Sequence, residues 1–103
     1  MFAQAFNTFS TATYTATGTL GDEGVAFVST AAARTMTLPS LSVARAGQAI
    51  IVLDNTGSAN TNNITVATEG AEKINGADTV TITAAYGGRL FIADGTNWFS
   101  VVL

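Results

Sequence analysis

The chain has 103 residues, four basic and seven acidic side chains, and neither His nor Cys. Charged residues make up 11% and hydrophobic ones 48%, where an ordinary soluble domain is roughly a quarter charged. Zinc fingers, thiolate chemistry, disulfide scaffolds and His-based catalysis are thereby excluded, and a formal net charge of −3 argues against a nucleic-acid surface, which needs clustered Lys and Arg.

No Lys or Arg precedes Arg34, so the basic start of a signal peptide is missing. The longest uninterrupted apolar run is Ala49-Ile50-Ile51-Val52-Leu53, far short of the roughly 20 residues of a membrane-spanning helix. The hydrophobicity is spread over many short segments, as strands require.

In chain order, residues 1–10 carry Phe2, Phe6 and Phe9 and no charge. Their i, i+4, i+7 spacing would line one side of a short helix. So short a helix is unstable alone, and the segment reads as an apolar arm that packs on its own domain or docks on a neighbouring subunit. Residues 11–20 alternate, with Thr11, Thr13, Thr15, Thr17 and Thr19 opposite Ala12, Tyr14, Ala16, Gly18 and Leu20, the period of a strand with a Thr face. Gly21-Asp22-Glu23-Gly24 is a turn, and Val25 to Thr30 the next strand. Arg34 to Leu38 alternates again and stops at Pro39, which cannot donate to a ladder. After a connection over residues 40–47, Gln48 to Asp54 is apolar on both faces and reads as central.

Asn55 to Asn63 is a polar loop, Ile64 to Thr68 a short strand, and Lys73-Ile74-Asn75-Gly76 a brief strand running into a turn. Thr79 to Thr83 alternates, Gly87-Gly88 leads into Arg89–Ala93, Asp94-Gly95 is a hairpin signal, and Asn97 to Leu103 is the last strand, with Trp98 and Phe99 on opposite faces. A weak repeat relates Thr35–Leu38 and Ile50–Asp54 to Thr79–Ile82 and Leu90–Asp94: a strand, a Gly turn, then a buried strand ending in Asp. The expectation is one all-β domain over residues 11–103, an antiparallel β-sandwich or β-roll of about eight short strands, preceded by the arm.

Few residues point to chemistry. Asp22 and Glu23 are adjacent and flanked by Gly, while Glu69 and Glu72 bracket a turn beside Lys73. Both read as solvated charge rather than as carboxylates converging in a pocket. Asp54 is expected to end its strand and accept backbone N–H bonds in the Asn55-Thr56-Gly57 turn. A calcium site from Asp54, Asn60, Asn62 and Asn63 would use suitable oxygens but lacks EF-hand spacing. No phosphate loop is present. The chain is therefore expected to be no enzyme, with no catalytic residues, cofactor or metal. Tyr14, Tyr86 and Trp98 offer flat faces that sugar rings accept; the plainer role for Trp98 is to cover the core with its indole N–H on a loop carbonyl.

From Thr35 onward the order of features resembles a module of tailed-bacteriophage virion proteins, found in tail fibres, spikes and small head proteins. The matching pieces are Leu38-Pro39, Gly47-Gln48 leading into Ile50-Ile51-Val52, Asp54-Asn55-Thr56-Gly57, Asn63-Ile64-Thr65-Val66, Lys73-Ile74-Asn75-Gly76, and Leu90 to Asp94 followed by Gly95-Thr96-Asn97-Trp98. The resemblance implies an all-β structural virion protein, usually a homotrimer. A small protein of this kind fits a capsid decoration (cement) protein bound to the major capsid protein on the head surface, with Phe2, Phe6 and Phe9 as capsid or intersubunit contacts. The alternative is a fibre or spike module that binds a host receptor or glycan through Tyr86, Trp98, Asn60 and Asn62. Neither reading involves nucleic acid or membrane.

Overall fold

The computed structural model describes residues 6–9, 13–15, 25–38 and 47–103. The strand expected over residues 11–20 falls within them only at 13–15, and Phe2, the 21–24 turn and residues 40–46 of the connection lie outside them. The described residues form nine strands and no helix: β1 (Phe6–Phe9), β2 (Thr13–Thr15), β3 (Val25–Val28), β4 (Arg34–Thr37), β5 (Ala49–Asp54), β6 (Ile64–Ala67), β7 (Thr79–Ile82), β8 (Gly88–Ala93) and β9 (Trp98–Val102). One sheet runs β1-β3-β5-β8-β9 and the other β2-β4-β6-β7.

The all-β expectation holds, but the pairing is mixed rather than wholly antiparallel. From β1 to β6 the chain alternates between the sheets, so β1, β3 and β5 are parallel neighbours, as are β2, β4 and β6. Only then does it reverse: β7 lies antiparallel to β6, and the β8–β9 hairpin antiparallel to β5. Parallel neighbours need a long crossover, and here a strand in the opposite sheet supplies it instead of a helix. Alternating short strands look alike in sequence whether joined as hairpins or as coils of a roll, so the period of two carries no signal for the parallel half. Phe6 and Phe9 likewise belong to strand β1, in register with Val25 and Val28, and not to a helical turn.

The two sheets share one core. Ala26, Val28, Ile50, Val52, Phe91, Ala93 and Trp98 enter it from the five-stranded sheet, and Met36, Ile64, Val66 and Ile82 from the four-stranded one. The period of two then sends Val25, Phe27, Ile51, Leu53, Leu90, Ile92, Phe99 and Val101 to the outer face of the five-stranded sheet. β5, expected to be apolar on both faces and central, is the middle strand. The proposed repeat also has a spatial counterpart, because each copy places its first strand in one sheet (β4, β7) and its second in the other (β5, β8).

The free edge of β9 is closed by residues 73–77. Asn75 and Gly76 both have positive φ (51° and 84°), and Ile74 and Ala77 exchange backbone N–H···O bonds of 2.7 and 2.9 Å across them, a type I′ turn. Trp98 N–H donates to Lys73 O (2.8 Å), and Asn75 N–H donates to Trp98 O (3.1 Å). One step further, the Asn75 side-chain amide replaces a strand: Nδ2 donates to Ser100 O (2.9 Å) and Ser100 N–H donates to Oδ1 (3.0 Å). Asn75→Gly keeps a turn-compatible residue while deleting both amide bonds. It should cost about 1–3 kcal/mol in urea unfolding and accelerate amide exchange at Ser100; unchanged Ser100 exchange would show that the side chain does not close the edge.

Candidate functional site

The strongest polar constellation is built where three strands end. β5 finishes in Asp54, a residue 3% exposed, with Thr30 just beyond β3 and fully buried beside it. Asp54 Oδ1 accepts from the Thr30 hydroxyl (2.7 Å), Thr56 N–H (3.0 Å) and Gly57 N–H (2.9 Å). Oδ2 accepts from Ala59 N–H and Tyr86 N–H, both 3.0 Å. Thr30 Oγ1 in turn accepts Ser58 N–H (3.0 Å). The expected role of Asp54, ending a strand and organising the turn, holds; the partners at Thr30 and Tyr86 lie 24 and 32 residues away and left no local signal.

Burial alone would raise the Asp54 pKa, but the Thr30 hydroxyl and the N–H groups of Gly57, Ala59 and Tyr86 outweigh it and hold the group well below the ordinary carboxylate range. Its oxygens are thus committed to internal donors, which removes Asp54 from the calcium reading. No cluster of three or more acidic side chains able to hold a metal occurs among the described residues. Asp94, at the matching point of the repeat, makes a smaller version of this turn: its Oδ1 accepts Asn97 N–H (2.7 Å) and Thr96 N–H (2.8 Å), which lower its pKa.

The residues expected to face a ligand separate. Trp98 is fully buried and offers no face to a sugar; its place is the core, because the β9 alternation turns it inward. Its Nε1 has no acceptor, so the expected bond to a loop carbonyl is not made. Asn62 points its amide inward, Nδ2 donating to Thr30 O (2.8 Å), and Asn63 does the same to Ala59 O (2.6 Å). Asn60 and Tyr86 are exposed. Phe6 and Phe9 stand in edge strand β1.

Tyr86 is the unusual one. Gly87 N–H donates to Ala84 O (2.8 Å), closing a tight turn in which Tyr86 has φ 56°, where a type II turn favours Gly or Asn. The strain is held by the Tyr86 N–H bond to Asp54. The ring, 70% exposed, lies against Gly57 so closely that a Cβ there would sit 2.5 Å from Cε2 and Cζ. Gly57, itself at φ 94°, is therefore required twice, by its backbone and by the ring above it. Arranged this way, the site positions an exposed aromatic ring and rigidifies a loop. No protein-family model matches this sequence, and neither does any curated protein.

Because the folded-state pKa of Asp54 is depressed, its contribution to stability is complete above the unfolded value of about 3.9 and is lost as the pH falls from there toward the folded value. Asp54→Asn should cost about 2–4 kcal/mol near pH 7 and the gap to wild type should narrow below about pH 4. Urea midpoints measured from pH 7 to 2.5 check this; a gap independent of pH would mean that the carboxylate charge is not what holds the loop.

Proposed function

We propose that the chain is a structural virion protein, a capsid decoration protein that assembles as a homotrimer and binds the major capsid protein on the phage head. The observation that carries the reading is the outer surface of the β8–β9 hairpin. Ile92, Phe99 and Val101 are exposed there at 39, 52 and 54%, adjoin Leu90 in the ladder, and have no charged residue among them. Contiguous apolar surface of this kind marks association sites. A pleated face without charge is met by apolar surface on a neighbouring copy, and around a three-fold axis each copy turns this face to a different patch of the next, because a face matched with itself closes as a dimer.

Covering the exposed half of each such side chain removes roughly 1 kcal/mol of unfavourable hydration, against the entropy of association. The trimeric number and the capsid partner follow from the resemblance to phage virion modules. The reading is also consistent with a buried carboxylate that serves loop geometry rather than catalysis. A fibre module that binds glycan is the second reading, favoured by the fixed, exposed ring of Tyr86 and now without Trp98.

Light scattering after gel filtration should give a trimer at micromolar concentration, and the doubly charged variant Ile92→Lys/Phe99→Glu should be a folded monomer by circular dichroism and no longer co-sediment with heads. A monomeric wild type, or a charged variant that still binds heads as a trimer, defeats the proposal. Saturable sugar binding lost in Tyr86→Ala would move the assignment to the second reading.

A further inference from the structure

At one end of the space between the sheets the apolar core gives way to a guanidinium. Arg89 lies on β8 at the alternation that sends Phe91 and Ala93 into the core, and it lines an open cavity of about 170 Å³ together with Thr81, Thr83, Gly87, Val102 and Leu103. One of its N–H groups donates to the hydroxyl of Ser100, a residue only 7% exposed. Ser100 is itself fixed from the other side by the Asn75 amide, so the guanidinium is anchored by a rigid partner.

The described basic residues differ in how they are paired. Lys73 forms an ion pair with Asp78, and Arg34 Nε–H donates to Ser29 O (2.7 Å). Arg89, partly buried, forms no ion pair with a side-chain carboxylate among the described residues, and the bond those residues give its guanidinium is the one to the Ser100 hydroxyl.

We propose that this mouth is a binding site for a carboxylate group. The planar fork of Arg accepts a carboxylate through two parallel N–H···O bonds. The occupant is a small acid or a single Asp or Glu side chain, since a single guanidinium fork matches a single carboxylate. The site is separate from the β8–β9 outer face, so its fate does not depend on the assembly reading.

The test is a titration followed by ¹⁵N NMR, including the Arg Nε–H signals, with sodium acetate as the free acid and an end-blocked Glu tripeptide as the side chain, against sodium chloride at equal ionic strength. The expected result is a saturable shift centred on Arg89, Ser100, Thr81 and Thr83. The shift should be abolished in Arg89→Gln, weakened severalfold in Arg89→Lys, which keeps the charge but not the fork, and unchanged in Ser29→Ala. Tighter binding of acetate assigns the site to a free acid, and tighter binding of the tripeptide to a protein side chain. Shifts that do not saturate, that chloride reproduces, or that survive in a folded Arg89→Gln protein overturn the proposal.

Discussion

The buried carboxylate of Asp54 is the interaction on which the arrangement around it depends. It ties the end of β5 to the segment after β3 through Thr30, fixes the first half of the 55–63 loop through three backbone N–H groups, and holds the β7–β8 turn through Tyr86. These pieces come from both sheets' connections. A chain that runs back and forth between two sheets has many such crossings and few side chains long enough to clamp them. A single ionised carboxylate with five donors satisfies the backbone of several at once, and the cost of burying its charge is offset because every donor points at it. Ala59 can then be fully buried within a loop that is otherwise polar.

How much of this was legible follows from the range of each signal. The strands from Arg34 onward could be read because the period of two is local: Met36, Ile50, Val52, Ile64 and Val66 turn inward as their alternation requires. Asp54 could be read as a turn organiser, and Asp94-Gly95 as a hairpin signal, because the nearest donors to each carboxylate lie two and three residues on. Pairing direction could not, since β3 and β5 become neighbours only after the chain has crossed to β4 and back. The burial of Trp98 was half legible: alternation with Phe99 gave opposite faces, but which face meets the core depends on where β9 sits beside β8. Tyr86 is legible in sequence only as an aromatic, whereas its positive φ and its seat on Gly57 accompany a hydrogen bond to a residue 32 positions earlier.

The scarcity of charge has a structural counterpart in the outer face of the five-stranded sheet. An amphipathic two-layer protein normally turns polar residues outward from both sheets. Here Ile51, Leu53, Leu90, Ile92, Phe99 and Val101 take those positions, and Gly88 is a glycine because the Leu53 side chain lies over it where a Cβ would be. The face is packed tightly within itself across β5 and β8, and becomes exposed toward β9.

The way β9 is finished restricts how that surface can be used. An exposed strand edge invites pairing with another chain, yet the outward-facing N–H and C=O groups of Trp98 and Ser100 are already taken by Lys73 and Asn75. Extension of the sheet through these residues would have to break four hydrogen bonds to form new ones, with little net gain. Contact through the side chains of Ile92, Phe99 and Val101 breaks none and removes apolar area from water. At the β9 end of the sheet, side-chain contact is therefore less costly than strand addition.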